Sequence, residues 1–571
     1  MPETITFVTA FMTIYERPYQ NKDMNWRFQH FVKLCESGIS LAAFCSRDCE
    51  EYFRSEILTK YSNVVLIEAQ DLSETWTYKT YQRVASEISI ELPNTRTIEK
   101  DTAEYLLLMN AKTEYVNKAI EANPFQSTHF AWVDFNIFHI FSGRESYVKY
   151  LFKTMQKRTM AKRILTLPGC WGKEKIHDDR LNNDICWRFC GGFFIGSLDR
   201  MIDFNNEYKQ HFENFLRERR KLVWEVNFWA YLELHHGFSV VWYSGDHNES
   251  ILKFDAEYMS FCLADLPSFS SHTYTYNDCG EYIPTSTSYL CHKGEHVINT
   301  RLVNYWLHSN GAYLIKDPNN WIKTRNMASR LNDGVPDQYI EMREEGLQCH
   351  GGSIYGLEDI RLYTRSDGQI GCIATSINYS GVGRNRMVCG VYDIGEGRIY
   401  DCDVIVPPGQ NGWTEKNWIP LVKDGAEYFI YKWWPFEIGV LCTCDKGVKQ
   451  LVIVTSWKHT THMFSHIRGS TPFIETAEGW IGVVHFSYEG SPRRYFHLLV
   501  LLDKTTWLPI SYSNFFVFRK VSIEFCIGFS VESERYRFWI SNFDRDPEVI
   551  SIEKDKIPLL FDFYTDDPIQ S

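Results

Sequence analysis

The hydrophobic pattern of the chain changes part-way along, and this change constrains the fold more than any other feature. Up to about residue 250, strand-like apolar runs alternate with segments of helical spacing, which predicts a doubly wound α/β sheet. From about residue 299, short β-rich runs recur between Gly, Asp and Asn turns, which predicts an all-β propeller or sandwich. Because 571 residues exceed one hydrophobic core, we expect two domains, 1–255 and 298–571, joined by a connection at 256–297.

The elements of the first domain follow from the spacing of its apolar residues. The pattern predicts strands at 5–10, 39–44, 64–67, 129–138 and 240–244. It predicts helices at 19–36, 49–61, 102–122 and 223–232.

The strand predicted at 129–138 contains one carboxylate, Asp134, within an apolar and aromatic run. Because an unpaired buried carboxylate is costly, Asp134 is expected where the strand emerges, at the sheet edge where ligands bind. Asp134 and Asn136 would then offer oxygen ligands to Mg²⁺ or Mn²⁺ bound to a diphosphate. The alternative is that Asp134 caps the following turn.

Three further features of this half are candidates for chemistry. Gly191 and Gly192 lie between aromatic runs, where they either allow close approach of a sugar or phosphate or form a plain bulge. Glu225, on a predicted helix, is a candidate general base or ligand of a substrate hydroxyl, or else a solvated carboxylate. His247 follows the last predicted strand and is either a metal or phosphate ligand or a structural histidine.

Residues 4 to about 250 resemble the HtrL/YibB/WlaTC-type glycosyltransferase family. The matching segments are 7–10 (FVTA), 109–112 (MNAK), 123–125 (NPF), 132–134 (WVD), 191–197 (GGFFIGS) and Glu225. The resemblance implies a GT-A-like fold that uses a sugar nucleotide, with Asp134 as the metal or sugar-nucleotide carboxylate. It implies that Gly191 and Gly192 form the donor or acceptor loop. Asn136 stands in place of a second Asp, so metal dependence is open.

The second domain contains four clusters of acidic, basic and aromatic residues at the starts of β-rich runs. These are 355–361 (YGLEDIR), 414–418 (TEKNW), 468–472 (RGSTP) with His485, and 523–528 (IEFCIG) with 541–544 (SNFD). Each cluster alone is compatible with an ordinary turn. Together they supply an acid, several cations that could bind an anion, and apolar stacking surfaces.

The order of these clusters is similar to that of the five-bladed propeller family of inverting β-mannoside phosphorylases and hydrolases and their mannosyltransferase relatives. Segments 301–305 (RLVNY) and 324–326 (TRN) extend the match. The resemblance implies that Asp359 is the general acid/base and that Arg361 holds the acid region in place. Ile360 stands where the family has Pro, and Ser470 where a second Gly is common.

The same resemblance implies contacts with phosphate and sugar. Lys416, Arg468 and His485 would bind phosphate or a phosphate-like leaving group, and Asn326 and Asp544 would contact sugar hydroxyls. Inverting chemistry requires one acid to protonate the glycosidic oxygen. A phosphorylase requires no second carboxylate as base, because phosphate is already an anion.

Composition excludes some partners. The net charge of −12 and the pI of about 5.9 argue against nucleic acid or an anionic membrane as the main partner. Aromatic residues make up 16% of the chain, which favours carbohydrate weakly, since aromatic-rich β cores account for it equally well. The 16 Cys show no paired C-x-x-C spacing, and no apolar run has the length of a transmembrane segment. We expect a cytoplasmic protein with free thiols.

The leading hypothesis is a bifunctional, glycan-building glycosyltransferase. The first domain would transfer a sugar from a UDP- or GDP-sugar to a glycan acceptor, with Mn²⁺ or Mg²⁺ or backbone N–H groups stabilising the diphosphate. The propeller would carry out inverting transfer or phosphorolysis of a glycoside such as a β-mannoside. The alternatives are one transferase with a glycan-binding propeller, a mannoside phosphorylase with a degenerate first domain, and a purely structural or interaction protein.

Overall fold

The computed structural model of the chain describes residues 5–15, 20, 22–161, 163–253, 256–276, 279–409, 414–444, 447–459 and 461–565. The chain divides into two compact units, Met1–Met259 and Ser260–Ser571. Within the described residues, no helix is both long enough and apolar enough to cross a membrane.

A seven-stranded sheet forms the centre of the first unit, with the strand order β3-β2-β1-β4-β6-β5-β7. Its strands are β1 (Ile5–Phe11), β2 (Leu41–Cys45), β3 (Val64–Ala69), β4 (His129–Val133), β5 (Leu165–Gly169), β6 (Phe193–Ser197) and β7 (Val241–Ser244). β6 runs antiparallel to both of its neighbours, and the other strand pairs are parallel. β1, β4, β5 and β7 therefore end at the same edge of the sheet, where β6 begins.

Helices cover both faces of this sheet. They are α1 (Met24–Cys35), α2 (Glu50–Tyr52), α3 (Trp76–Glu87), α4 (Ala103–Asn110), α5 (Lys112–Ala122), α6 (Glu145–Gln156), α7 (Leu198–Arg219) and α8 (Glu225–His235). Alternate residues of β4 belong to two separate hydrophobic clusters: Phe130 and Trp132 to one, Ala131 and Val133 to the other. Burial on both faces explains why this strand is continuously apolar in sequence.

The observed elements differ from the predicted ones in several places. The predicted strand 129–138 ends at Val133, and the predicted helix 102–122 is two helices that meet at Ala111. The helix predicted at 19–36 is observed from Met24, and its first predicted residue, Tyr19, lies outside the described residues. Five elements were not predicted as such: α3, α6, α7, β5 and β6. The GT-A-like assignment stays a prediction.

The second unit contains five sheets of four or more strands and a two-stranded ribbon. The ribbon pairs β12 (Tyr305–Leu307) with β13 (Tyr313–Ile315). The first sheet contains β10 (Ile283–His292), β11 (Glu295–Val303), β14 (Ile322–Asn332), β15 (Val335–Pro336), β16 (Ile340–Glu341) and β18 (Ile354–Tyr355). The second contains β17 (Arg343–Glu344), β19 (Glu358–Thr364), β20 (Ile370–Ser376), β21 (Arg386–Asp393) and β22 (Arg398–Val404).

The remaining three sheets follow along the chain. The third contains β23 (Ile419–Lys423), β24 (Ala426–Trp433), β25 (Phe436–Thr443) and β26 (Lys449–Trp457). The fourth contains β8 (Ser260–Cys262), β27 (Ile467–Gly469), β28 (Ile474–Glu475), β29 (Trp480–Tyr488), β30 (Arg494–Leu502), β31 (Pro509–Ser513), β32 (Phe515–Val517) and β36 (Leu559–Asp562). The fifth contains β9 (Ser270–His272), β33 (Glu524–Val531), β34 (Arg535–Asn542) and β35 (Arg545–Glu553).

Apolar clusters join each sheet of the second unit to the next. Separate clusters connect the first sheet to the second, the second to the third, and the fourth to the fifth. Trp433 of the third sheet stacks on Phe473 near the fourth. Trp539 of the fifth sheet stacks on Tyr289 of the first, with 4.1 Å between ring centroids, which closes the cycle. The described residues of this unit contain no α-helix, so the all-β prediction is confirmed.

The predicted connection at 256–297 requires correction. β8, β9 and β10 lie within it, and they pair with β32, β35 and β11 respectively. The second unit therefore begins at Ser260 rather than at residue 298. β10 was not predicted from the sequence because its buried positions include Thr285, Ser286, Thr287 and Ser288, which give no hydrophobic signal.

Candidate functional site

The first unit has a cavity of about 270 Å³ at the edge where its central strands end. β1 pairs with β2 on one side and with β4 on the other, so the strand order reverses at this point. Ligands of open α/β sheets bind at such a reversal. Met12 and Tyr15, after β1, line the cavity together with Asp134, which directly follows β4. The structure therefore places Asp134 where the sequence predicts that the strand emerges.

A buried lysine joins two carboxylates on the cavity wall. Lys112 Nζ lies 2.9 Å from Asp134 Oδ1 and 2.8 Å from Glu225 Oε1. The side chain of Lys112 is 1% exposed, that of Glu225 7% and that of Asp134 30%. Burial by itself disfavours the charged amine, but the two carboxylates outweigh it and raise the pKa of Lys112. We call Lys112, Asp134 and Glu225 the ionic triad; it carries two negative charges and one positive charge.

The triad leaves one oxygen of Asp134 available to a ligand. Oδ1 accepts a hydrogen bond from Trp132 Nε1 at 2.8 Å as well as the contact with Lys112. Among the described residues, the hydrogen-bond and ion-pair contacts of the Asp134 side chain all use Oδ1. Glu225, at the first turn of α8, is buried and is therefore not the solvated carboxylate considered as one alternative. Sequence reasoning did not identify Lys112 as a site residue, although an isolated lysine in a buried helical run was the available signal.

The two glycines before β6 allow this close packing. The carbonyl of Gly191 accepts a hydrogen bond from Lys112 Nζ at 2.8 Å, and the carbonyl of Gly192 accepts one from the Asp134 amide at 3.0 Å. A Cβ atom at Gly191 would lie 2.1 Å from Glu225 Oε1. The close approach predicted at these glycines is thus, in the structure, an approach to the ionic triad.

Three cations lie around the same cavity. Lys22, Arg27 and Lys100 are among its lining residues. Burial, followed by the positive charges of Lys100 and Arg27, lowers the pKa of Lys22. Tyr15 donates a hydrogen bond to the Lys100 carbonyl at 2.8 Å and thereby ties two sides of the cluster together. Such a group of cations favours a bound polyanion.

The three predicted metal ligands, Asp134, Asn136 and His247, line this one cavity. Asn136 directly precedes the 3₁₀ segment Ile137–Phe141 that follows β4, and its side chain caps no backbone group there. His247 Nδ1 lies 3.1 Å from Asp246 Oδ1, in the turn after β7. The residues are therefore gathered at one edge of the sheet, while a metal bound by them stays a prediction.

The second unit gathers the acidic residues of several segments around Arg301. Its guanidinium lies 3.0 Å from Asp359 Oδ1 and 3.2 Å from Glu358 Oε2. Burial alone would lower the pKa of Arg301, but Tyr305, Glu358 and Asp359 raise it. Asp359 has a φ of +54°, at an irregularity in the pairing of β19 with β20. Backbone strain of this kind is concentrated at functional sites.

Arg361 connects three of the sequence clusters. It is fully buried and donates to the Ser470 carbonyl at 2.7 Å, to Asn417 Oδ1 at 2.9 Å and to the Asp359 carbonyl at 3.2 Å. Burial, opposed by the charge of Asp359, lowers the pKa of Arg361 to about 10. Arg361 therefore joins the segment that contains Asp359 to segments 414–418 and 468–472, and its predicted role in holding the acid region stays a prediction. Arg301, which forms ion pairs with Glu358 and Asp359, was not assigned a role from the sequence.

Two of the predicted ligand contacts involve buried side chains. His485 is buried and hydrogen-bonded to Ser470, and burial lowers its pKa well below the ordinary value. An enclosed ring with a lowered pKa is poorly suited to binding phosphate. Asn326 is also buried; it accepts from Asn299 and donates to the Leu357 carbonyl. In the structure both side chains are buried and bonded to neighbouring protein groups, and the ligand contacts predicted for them stay predictions.

The other predicted contacts remain open to a ligand. Lys416 is partly exposed and lies 3.9 Å from Glu358 Oε2, while Arg468 is exposed. Asp544 lines a cavity of about 230 Å³ and accepts a hydrogen bond from the hydroxyl of Tyr305 at 3.0 Å. Burial raises the pKa of Asp544, and the charge of Arg301 opposes this effect. A raised pKa favours the protonated form of Asp544, which is the form that a general acid requires.

Comparison with solved structures gives three similar chains, all at 11% identity. The first is the β-1,2-mannobiose phosphorylase from Listeria innocua, with 52% of this chain and 94% of that chain covered and a TM-score of 0.33. The second belongs to the GH130 family of mannoside phosphorylases, which contains glycoside hydrolases that target β-1,2 mannosidic linkages in Candida mannan. The match covers 49% of this chain and 88% of that chain, with a TM-score of 0.36. The third is the GH43_1 enzyme from Xanthomonas citri, with 52% of this chain and 94% of that chain covered and a TM-score of 0.34. Likeness at this level does not assign a fold or an activity.

No curated protein matches the chain. One protein family matches part of it. This match contains Lys112, Asp134, Gly191 and Gly192 of the candidate site and ends before Glu225. Residues 4–216 match the family described as "Bacterial protein of unknown function (HtrL_YibB)".

Proposed function

We propose that the first unit is a GT-A-like glycosyltransferase domain that transfers a sugar from a sugar nucleotide. The observation that carries this proposal is the ionic triad at the reversal of strand order, with three cations around the same cavity. Lys22, Arg27 and Lys100 provide positive charge for the diphosphate of the donor. The free oxygen of Asp134 provides the one accessible carboxylate of the triad.

The chemistry follows from these positions. The acceptor hydroxyl gives its proton to Asp134 as its oxygen bonds to the anomeric carbon, and the diphosphate leaves with the electron pair of the broken bond. The cations stabilise the negative charge that develops on the leaving group. Glu225 lines the same cavity but is nearly buried against Lys112, so its role is to position the lysine. If Asp134 and Asn136 instead hold Mg²⁺ or Mn²⁺, the ion would supply further positive charge for the diphosphate, and Asp134 would then not be the base.

The test is release of nucleotide from a panel of UDP- and GDP-sugars, with and without Mn²⁺. Wild type should release nucleotide with one donor, and Asp134→Asn should abolish release. Glu68→Gln is the matched control, since Glu68 is an exposed carboxylate of the same unit that pairs with Lys118 away from the cavity. Lys22→Ala should raise the donor KM about tenfold, as expected for one charged contact. No release with any donor would contradict the proposal.

A second activity is proposed for the second unit. The five sheets would be the blades of a propeller, and the cluster around Arg301 would act on a glycoside by inverting transfer or phosphorolysis. Asp359 or Asp544 would protonate the glycosidic oxygen, and Lys416 and Arg468 would bind phosphate. The sequence resemblance to mannoside phosphorylases is the reason to choose a β-mannoside as the substrate.

This second proposal is tested by phosphate-dependent release of mannose 1-phosphate from β-mannosides. Asp359→Asn and Asp544→Asn should each reduce release, whereas Asp134→Asn should leave it unchanged. Release that does not depend on phosphate would indicate hydrolysis. If the second unit instead only holds a glycan acceptor, neither variant will alter nucleotide release from the sugar-nucleotide donor, and no sugar phosphate will form.

A further inference from the structure

Two cysteines and a histidine come together beside the cavity of the first unit. Cys170 directly follows β5, Cys190 precedes the two glycines before β6, and His247 lies in the turn after β7. One ligand atom from each of the three residues lies within 4.8 Å of the other two. In sequence they are far apart and form no recognisable metal-binding spacing. Only the fold, which ends β5 and β7 where β6 begins, brings them to the same edge.

The distances within this cluster fit a tetrahedral metal ion. The Sγ atoms of Cys170 and Cys190 are 3.7 Å apart. Two thiolates bound to one tetrahedral Zn²⁺ at about 2.3 Å each are separated by about 3.8 Å. A disulfide requires the two sulfur atoms at about 2.0 Å. The observed separation therefore matches two ligands of one ion more closely than a bonded pair.

The surroundings of the cluster hold the ligands in place before any metal binds. The Cys190 amide donates to the Pro168 carbonyl at 2.7 Å, and the Gly245 amide donates to the Gly169 carbonyl at 3.0 Å. These backbone bonds fix all three segments to β5. The rings of His247 and Trp187 are in contact at 4.5 Å between centroids. A site held by the backbone loses little conformational entropy when it binds an ion.

A carboxylate lies next to the ligands. Asp246 Oδ1 is 3.1 Å from His247 Nδ1 and 3.5 Å from Cys170 Sγ. A histidine that binds a metal through one ring nitrogen commonly donates the other N–H to such a carboxylate, which orients the ring. Asp246 is placed for this role. The ligand set is then two thiolates and one imidazole, a combination that selects Zn²⁺ over Mg²⁺ or Mn²⁺.

We propose that Cys170, Cys190 and His247 form a Zn²⁺ site at the wall of the cavity, with Asp246 orienting the histidine. Cys190 and His247 line the cavity, so the fourth position of the ion is open to water or to an oxygen atom of a bound molecule. The ion would fasten the loop that carries Gly191 and Gly192 to the ends of β5 and β7. This site is separate from Asp134 and does not depend on the proposed transferase activity.

The test uses the full-length chain, reduced and stripped of metal. Titration with Co²⁺ should give one equivalent with a thiolate-to-cobalt charge-transfer band and tetrahedral ligand-field bands, and Zn²⁺ should displace it. Cys170→Ser and His247→Ala should each weaken Zn²⁺ binding by at least about tenfold, and Asp246→Asn by about 10- to 100-fold. Cys186→Ser is the matched control, because Cys186 is a buried thiol of the same segment outside the cluster. It should leave binding unchanged.

One of these variants separates loss of Zn²⁺ binding from loss of the fold. His247 is exposed in a surface turn, so His247→Ala should keep the melting temperature of the metal-free protein. The proposal is overturned if the reduced protein binds no Zn²⁺, or if bound Co²⁺ shows no thiolate band. Binding that Cys186→Ser weakens as much as Cys170→Ser would overturn it as well.

Discussion

Lys112 neutralises part of the negative charge that Asp134 and Glu225 place on the wall of the first unit's cavity. Its ammonium group is the shared partner of Asp134 and Glu225, and it has almost no contact with water. Removal of one partner from a buried charge group is far more damaging than removal of the whole group, because it leaves uncompensated charge. The stability of the cavity wall and the availability of Asp134 for chemistry therefore depend on the same amine.

Lys112→Met is expected to destabilise the first unit by about 3–5 kcal/mol, since two carboxylates lose their shared cation. Addition of Glu225→Gln should recover part of this loss by removing one of the two unpaired charges. Thermal unfolding of the single and double variants measures both effects. A single variant that melts at the wild-type temperature would show that the triad is not formed in solution.

His497 gives the second unit a sensitivity to acid. It is fully buried, its ring lies 4.7 Å from that of Phe518, and neither ring nitrogen has a hydrogen-bond partner among the described residues. Burial lowers the pKa of His497 to about 3, whereas the unfolded chain has a value of about 6.5. Between these values the unfolded state binds a proton that the folded state excludes. Stability that is present above pH 6.5 is thus lost as the pH falls toward 3.

His497→Phe should remove this dependence, which amounts to about 1.4 kcal/mol for each pH unit below about 6. We expect the melting temperature of the variant to fall less than that of wild type between pH 6.5 and pH 4.5. The exposed His350 is the control position: His350→Phe should keep the wild-type slope. Equal slopes for wild type and His497→Phe would indicate that His497 is hydrated or protonated in the folded protein.

At the scale of elements, the sequence predicted those parts of the fold in which burial and apolar character coincide. β4 is buried on both faces and apolar after His129, so both the strand and the emergence of Asp134 could be predicted. The centre of β10 is equally buried but consists of Thr and Ser residues, which hydrophobic periodicity does not detect. The triad could not be predicted, because Lys112 and Glu225 are 113 residues apart in sequence and meet only through the sheet. The family resemblance of the first domain identified the segments that contain these residues, and only the structure shows that their side chains are in contact.

The loop before β6 is the element that packs most tightly against the triad. Gly191→Ala would place a Cβ atom 2.1 Å from Glu225 Oε1, and Glu225 is held on its other side by Lys112. We expect a loss of about 1–3 kcal/mol in stability, as for other overpacked sites. Gly172→Ala is the control, because its new Cβ would meet only the carboxylate of Glu174, which can move aside. Equal melting temperatures for the two variants would show that the loop is looser than described.

At the scale of the whole molecule, the chain contains two units with separate hydrophobic clusters. The clusters of the first unit end before residue 260, and those of the second begin at Leu263. Each unit therefore has the apolar core that independent folding requires. The position of the boundary matters most for the second unit, since its cycle of sheets includes strands from the segment that the sequence predicted to be a connection.

Fragment 260–571 is expected to fold as an all-β protein with one cooperative thermal transition, whereas fragment 298–571 is not. The shorter fragment lacks β8, β9, β10 and the start of β11, so β33 and β34 lose the strand β10 against which they pack. It also lacks Tyr289, which leaves the ring of Trp539 without its stacked partner. Circular dichroism and size-exclusion chromatography of the two fragments, prepared identically, distinguish them. A cooperative, monomeric 298–571 would mean that the cycle closes without β10, and the predicted boundary at residue 298 would then be restored.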